Sequence, residues 1–134
     1  MKKINQVLLV EDNDITVLLT NRLIEKTEKV NEVTVCYNGK EAYDKIQEML
    51  ENGKPLPEIL LLDLVMPVWD GWEFLERFTP LKESEQVEIF ILTSSISKED
   101  MEKAERFGLM NNYLVKPISF SKLNELFERR NSPA

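Results

Sequence analysis

Five side chains that could do chemistry stand where short apolar segments of this sequence end: Glu11, Asp12, Asp63, Thr93 and Lys116. Three carboxylates held close together repel one another unless a cation lies among them. Carboxylate oxygens suit Mg²⁺, with Mn²⁺ able to substitute, and Mg²⁺ also binds phosphate oxygens. If these side chains meet in the fold, they predict a magnesium site that handles a phosphoryl group.

Asp63 is the strongest candidate for the reacting group. It directly follows four apolar residues, Ile59–Leu62, and a carboxylate can attack a phosphoryl donor as a nucleophile. The Thr93 hydroxyl and the Lys116 ammonium would then hold other oxygens of the phosphoryl group. The alternative is an acidic rim exposed to solvent, which charged loop residues often form. The placement of every candidate directly at a strand end favours a shared site.

The elements that must position these residues follow from an alternation of short apolar segments with longer amphipathic ones. The predicted strands are Gln6–Val10, Glu32–Tyr37, Glu58–Leu62, Glu88–Leu92 and Tyr113–Val115. The predicted helices are Asp14–Lys29, Glu41–Asn52, Gly71–Phe78, Ser97–Phe107 and Ser119–Arg130. Five β-α repeats predict an α/β fold, a doubly wound five-stranded parallel sheet with five helices on its two faces. In the strand order 2-1-3-4-5, all five candidates meet at the edge where such sheets bind ligands.

The composition limits the classes of function. The length of 134 residues fits one domain, and the net charge of −7 argues against direct binding to nucleic acid or an anionic membrane. The absence of histidine excludes Ser-His and Cys-His nucleophilic sites and histidine-ligated metals. The single cysteine, Cys36, lies in an apolar segment and is predicted to be buried and inert. No signal peptide or membrane span is visible, which predicts a cytoplasmic protein.

Four segments in order carry a resemblance to one family. They are Leu8–Asn13 (LLVEDN), Leu61–Gly71 (LLDLVMPVWDG), Ile91–Ser95 (ILTSS) and Tyr113–Pro117 (YLVKP). With these segments the chain resembles the response-regulator receiver domain, the CheY-like family of two-component signalling. The resemblance covers residues 3–130 as a stand-alone receiver and leaves 131–134 as a short disordered tail.

The resemblance implies a role for each residue at the acidic edge. Asp63 is the phosphoacceptor, supplied by the phosphohistidine of a sensor histidine kinase or of a histidine phosphotransfer protein. Asp12, Asp63 and the backbone carbonyl of Val65 ligate Mg²⁺, and Glu11 acts through water. The chain is then a signalling switch rather than an enzyme, although it assists its own phosphorylation and dephosphorylation.

The resemblance also implies how the signal leaves the site. Thr93 and Tyr113 form a switch pair that remodels the face made by helix four, strand five and helix five, where an unidentified downstream protein binds. The oligomeric state it implies is a monomer or a phosphorylation-dependent dimer. The Lys116-Pro117 bond is expected to be cis, as is usual in the family. The alternative for Tyr113 is a purely structural role as an ordinary aromatic side chain at the sheet edge.

Two positions beside the expected phosphoryl group depart from a catalytic pattern. Val65 and Ser95 lie two residues after Asp63 and Thr93, and neither offers an acid or amide to orient attacking water. A long-lived phosphoaspartate is therefore predicted. In the same loop, Trp69 is equally compatible with contact to a kinase and with local packing, whereas Trp72 is expected in the core.

Three other classes of protein compete with this interpretation. A dehalogenase-type phosphatase needs a second acid where Val65 stands. A flavodoxin-like electron carrier would hold a phosphate after strand one, where Glu11 and Asp12 would repel it. A pseudo-receiver would keep the fold as a binding module without the chemistry, but every acid, hydroxyl and lysine position is filled.

Overall fold

The secondary structure of the chain alternates strand and helix from end to end. The computed structural model describes residues 3–131. The strands in this range are β1 (Ile4–Val10), β2 (Val30–Cys36), β3 (Ile59–Leu62), β4 (Glu88–Thr93) and β5 (Tyr113–Val115). The α-helices in it are α1 (Asp14–Thr27), α2 (Gly39–Glu51), α3 (Gly71–Phe78), α4 (Lys98–Arg106) and α5 (Phe120–Asn131). Short 3₁₀ turns, Lys82–Gln86 and Met110–Asn112, precede β4 and β5 and were not predicted.

All strand pairs in the sheet are parallel, in the order β2-β1-β3-β4-β5. The predicted doubly wound sheet is therefore confirmed. The register matters for the site because Val10 of β1 lies opposite Leu62 of β3. The residues that follow, Glu11 and Asp63, consequently leave the sheet side by side at the same edge.

The sheet divides the core into two layers. Leu60 and Leu62 of β3 pack with residues of α2, α3 and α4, whereas Ile59 and Leu61 pack with residues of α1 and α5. All four side chains of β3 are fully buried. This two-sided burial explains why β3 is continuously apolar rather than alternating. Phe74 and Phe78 fill the first layer, and Phe127 fills the second.

Each of the five described α-helices is preceded by a residue whose side chain caps the first turn. Each side-chain oxygen accepts a hydrogen bond from the backbone N–H three residues later, which satisfies one donor that the helix leaves free. These capping residues are Asn13, Asn38, Asp70, Ser97 and Ser119. The caps fix where α1 and α3 begin, directly after the two loops that carry the acidic candidates.

The predicted boundaries differ from the observed ones by one or two residues. Helix α1 ends at Thr27 rather than Lys29 because Glu28 takes a left-handed conformation with φ 57°. This early end lets β2 begin at Val30, which pairs with Ile4. Helix α5 continues through Asn131, which had been assigned to the tail. The rest of the predicted tail, 132–134, lies outside the described residues.

Cys36 ends the edge strand β2 and is buried, as predicted. Burial, with a contribution from the nearby Glu41 charge, raises the pKa of its thiol to about 12. The thiolate is the reactive form of cysteine. Cys36 therefore packs as a small apolar side chain at neutral pH.

Gly71, the first residue of α3, packs directly on the segment that carries Asp63. A Cβ at this position would lie 2.6 Å from the backbone oxygen of Asp63 and 3.0 Å from the Cα of Leu64. Both contacts are with backbone atoms, which cannot shift without displacing the chain around them. We expect Gly71→Ala to lower the free energy of unfolding by about 2–3 kcal/mol, the upper part of the range of about 1–3 kcal/mol for overpacking, as measured by urea denaturation.

Gly53→Ala is the matched control for this prediction. Gly53 has φ +64°, but a Cβ there meets nothing within 4 Å. Its replacement should cost only about 1 kcal/mol, from the left-handed conformation alone. A loss at Gly71 no larger than that at Gly53 would mean that the close approach to Asp63 is not a packing constraint.

Candidate functional site

Three carboxylates meet at the carboxyl edge of the sheet. One carboxylate oxygen from each of Glu11, Asp12 and Asp63 lies within 4.8 Å of the other two. Glu11 and Asp63 are 2% and 6% exposed, whereas Asp12 is exposed. The structure thus brings together the acidic residues that the sequence singled out, and it buries two of them.

Backbone hydrogen bonds that continue the sheet hold the two buried acids in place. The N–H of Glu11 donates to Cys36 O at 2.9 Å, and the N–H of Asp63 donates to Val10 O at 3.0 Å. Their side chains also accept backbone hydrogen bonds, Glu11 from Asn13 N at 3.1 Å and Asp63 from Leu64 N at 2.8 Å. These acids are therefore fixed by the main chain rather than by flexible surface contacts.

Lys116 reaches into the acidic cluster from the end of β5. Its Nζ lies 2.5 Å from Glu11 Oε1 and 3.4 Å from Asp63 Oδ2. The backbone N–H of Lys116 donates to Thr93 O at 2.8 Å, and the following bond to Pro117 is cis, as expected. One ammonium group faces three carboxylates, so two negative charges of the cluster are left without a partner inside it.

The titration of Glu11 reflects this environment. Burial raises the pKa of the Glu11 carboxyl above its ordinary value, and the charge of Asp63 adds to the rise. Hydrogen bonds from Lys116 and from the N–H of Asn13 act in the opposite direction and offset part of it. A further cation in the cluster would favour the ionised form.

The donor set fits a divalent cation with a preference for hard oxygen ligands. Mg²⁺ binds oxygens at about 2.0–2.1 Å, so two of its ligands are at most about 4.2 Å apart. One carboxylate oxygen of each residue lies within 4.8 Å of the other two, so a small side-chain adjustment would bring them within reach of one ion. Two unbalanced negative charges match the charge of the ion. The chemistry of these residues therefore suits the predicted Mg²⁺ or Mn²⁺.

Thr93 and Tyr113, the predicted switch pair, are connected through a residue between them. Thr93 is buried at the end of β4, and its Oγ1 accepts a hydrogen bond from the backbone N of Ser95 at 3.3 Å. The hydroxyl of Tyr113 donates to the carbonyl oxygen of Ser95 at 2.9 Å. Burial raises the pKa of this half-buried Tyr113. Sequence reasoning did not find the linking role of Ser95, which depends on the path of the β4–α4 loop.

The loop between β3 and α3 is held against α2. Trp69 packs on Tyr43 with ring centroids 5.6 Å apart, and the guanidinium of Arg77 lies 4.4 Å from the Trp69 ring. The carbonyl of Trp69 accepts a hydrogen bond from Gly39 N at 2.9 Å. A Cβ on Gly39 would come within 2.8 Å of that same oxygen. Local packing of Trp69 is thus observed, and its contact with a kinase stays a prediction.

Several apolar side chains near the acidic cluster are exposed to solvent. Ile15, Leu18 and Leu19 of α1 are each at least half exposed. Next to them a groove of about 530 Å³ runs between α1 and the segment after β5, with Lys116 and Ile118 among its lining residues. The acidic edge is therefore flanked by a surface suited to contact with another protein.

None of the helices in the described part of the chain is both long enough and apolar enough to cross a membrane.

Comparisons with known proteins agree with this geometry. A family model for the response regulator receiver domain matches residues 7–128. The chain is 33% identical to the probable methanogenesis regulatory protein FilR2 of Methanothrix harundinacea, over 91% of this chain and 78% of that protein. It is similar to the crystal structure of a two-component response regulator from Cytophaga hutchinsonii, with 30% identity, a TM-score of 0.82, and coverage of 96% of this chain and 97% of that one. It is also similar to the Mn²⁺-bound form of response regulator Rcp1, with 25% identity, a TM-score of 0.74, and coverage of 92% and 89%.

The charge imbalance of the cluster predicts an unusual response to mutation. Without divalent metal, Asp12→Asn should raise the free energy of unfolding by up to about 1 kcal/mol, because it removes a like charge next to Glu11 and Asp63. Mg²⁺ should stabilise the original chain and have little effect on this variant, since a ligand stabilises only a state that binds it. Urea denaturation with chelator and with Mg²⁺ measures both effects.

Asp44→Asn provides the control on α2. Asp44 is exposed, and within residues 3–131 the ion pair it forms is one at the surface, with Lys40 at 2.9 Å. Its replacement should leave the response to Mg²⁺ intact. If Asp12→Asn destabilised the metal-free protein, repulsion would not be the dominant interaction at this edge.

Proposed function

Because the chain belongs to the response regulator receiver domain family, we propose that it is a phosphoryl-accepting switch in which Asp63 is the acceptor. The observation that carries this proposal is the environment of the Asp63 carboxylate. It lies among two further carboxylates, and the ammonium of Lys116 is 3.4 Å from its Oδ2. The donor is the phosphohistidine of a sensor histidine kinase or of a histidine phosphotransfer protein, the partners with which receiver domains pair.

The transfer needs little beyond a positioned nucleophile and compensation of charge. An oxygen of Asp63 attacks the phosphorus atom of the phosphohistidine and forms an O–P bond. The P–N bond breaks, and the imidazole leaves with the electron pair, which allows it to take up a proton. Asp63 thereby becomes a mixed anhydride and loses its own negative charge. In the unphosphorylated structure the ammonium of Lys116 contacts Glu11 and Asp63. After the transfer, this ammonium can pair with an oxygen of the phosphoryl group.

Asp12, Asp63 and the backbone carbonyl of Val65 are the proposed Mg²⁺ ligands, with Glu11 acting through water. The ion would supply positive charge to the oxygens of the phosphoryl group, and Mn²⁺ could substitute for it. Support comes from the carboxylate oxygens gathered within 4.8 Å and from the Mn²⁺-bound form of the similar regulator Rcp1.

Thr93 and Tyr113 are proposed to report the state of Asp63. The Thr93 hydroxyl turns toward the phosphoryl group, and Tyr113 responds through their shared neighbour Ser95. The face formed by α4, β5 and α5 would then bind a downstream protein, with the chain as a monomer or as a phosphorylation-dependent dimer. The apolar residues of α1 and the groove beside Lys116 offer the donor protein a surface next to Asp63.

The acceptor assignment is tested by intact mass after incubation with acetyl phosphate. We expect one phosphoryl adduct on the original chain with Mg²⁺, none with excess chelator, and none on Asp63→Asn, because the amide is not a nucleophile comparable to the carboxylate. Asp44→Asn, the same chemical change on the surface of α2, should be labelled normally. Normal labelling of Asp63→Asn would show that the acceptor is another residue, and no labelling of the original chain would favour a phosphate-independent binding module.

The lifetime of the adduct depends on two neighbouring side chains. Val65 is 70% exposed and apolar, and the hydroxyl of Ser95 already donates to Asp100 at 2.5 Å. Neither is free to orient an attacking water, so we expect slow loss of the phosphoryl group. Val65→Asn, which supplies an amide at little cost in packing, should shorten the lifetime measured by mass after removal of the donor. Equally slow loss from both proteins would contradict the assigned cause.

A further inference from the structure

Ser95 in the β4–α4 loop is bonded through all three of its polar groups. Its N–H donates to Thr93 Oγ1 at 3.3 Å, and its carbonyl accepts from the Tyr113 hydroxyl at 2.9 Å. Its own hydroxyl donates to Oδ2 of Asp100 at 2.5 Å. The first two bonds join the predicted switch pair. The third leads away from that pair, toward another part of the molecule.

Asp100 lies in the first turn of α4 and bridges two elements. While Oδ2 accepts from Ser95, Oδ1 accepts a hydrogen bond from the indole Nε1 of Trp72 in α3 at 2.8 Å. Burial alone would raise the pKa of Asp100, but hydrogen bonds from Ser95, Trp72 and Ser97 outweigh it and hold that pKa below its usual value. The carboxylate is therefore ionised at neutral pH, and both of its oxygens are acceptors.

Trp72 is well placed to sense a change at Asp100. It is 6% exposed, belongs to the core layer of α2, α3 and α4, and stacks on Phe107 with ring centroids 5.8 Å apart. An indole has only one N–H donor, so Trp72 has no second hydrogen bond with which to replace the one to Asp100. A shift of Ser95 that moves Asp100 must consequently alter the polar contact of this buried ring.

We propose that Ser95 and Asp100 are positioning residues that connect the Thr93 hydroxyl to Trp72, which gives the switch a second route beside Tyr113. The trigger rests on the proposed function: when the Thr93 hydroxyl turns toward a phosphoryl group on Asp63, it gives up the hydrogen bond from Ser95 N. Ser95 is then free to shift, and its hydroxyl carries the change to Asp100 and so to the α3–α4 side of the molecule.

The chain offers an internal control for a test by nuclear magnetic resonance. It has two tryptophans, so a ¹⁵N-labelled sample gives two indole N–H resonances. Trp72 belongs to the proposed route, whereas the contacts of the Trp69 ring are with Tyr43 and Arg77. Thr93→Val removes the acceptor for Ser95 N and keeps the shape of the side chain, so it imitates the loss of that bond without any phosphate.

We expect Thr93→Val to move the Trp72 indole resonance and leave that of Trp69 in place. In a Ser95→Ala background the same substitution should no longer move it, because the hydroxyl that reaches Asp100 is gone. In a Ser94→Ala background, with the neighbouring exposed serine replaced, the movement should persist. An unmoved Trp72 resonance, or equal movement in the Ser95→Ala background, would overturn the proposal. A purely structural role for Ser95 would change stability without removing this dependence.

Phosphorylation gives a second comparison that separates this inference from the proposed function. After acetyl phosphate and Mg²⁺, intact mass reports labelling and the indole resonances report the route. In Ser95→Ala protein whose labelling the intact mass has verified, the Trp72 response should be lost, and a retained response would overturn the route. If the original chain were not labelled, the acceptor function would fail, and the Thr93→Val comparison would still decide the connection to Trp72.

Discussion

The meeting of three carboxylates with a single ammonium group is the interaction on which the rest of the site depends. The parallel register of β1 and β3 forces Glu11 and Asp63 out of the sheet side by side, and main-chain hydrogen bonds hold them there. Lys116 compensates only part of their charge. Repulsion among the carboxylates at this edge lowers the stability of the fold, and burial of the apolar core on both faces of the sheet offsets that loss. A local loss of stability of this kind is expected at a functional site.

The two faces of the sheet carry different features. The face with α1 and α5 carries the exposed apolar residues of α1 and the groove that opens beside Lys116, where the proposed function would place the donor protein. The face with α2, α3 and α4 contains the core layer against which both Trp72 and Tyr113 pack. Both hydrogen-bonded links from Ser95 therefore end in the same layer. Under the proposed function, the surface for the donor and the links from Ser95 lie on opposite faces of the sheet, with Asp63 and Thr93 at its edge.

The sequence revealed the parts of the fold that depend on local pattern. The continuously apolar Ile59–Leu62 identified a central strand, and the residues at strand ends identified the acidic cluster. The start of β2 was missed because the polar Asn31 separates Val30 from the predicted strand, and only pairing with β1 makes Val30 part of it. The link from Ser95 through Asp100 to Trp72 could not be predicted. It depends on how a loop turns and how two helices meet, and no periodicity in the sequence encodes either.

The contact between Gly39 and Trp69 has a consequence for the redesign of this chain. The first residue of α2 lies so close to the Trp69 carbonyl that a side chain at position 39 has no room. Position 39 therefore has room only for glycine while the loop after Asp63 keeps this main-chain path. A loop taken from a related protein and inserted after Asp63 would bring a new main-chain path against an unchanged α2. An exchange of that loop should therefore replace the beginning of α2 together with it, so that the close packing at position 39 is preserved.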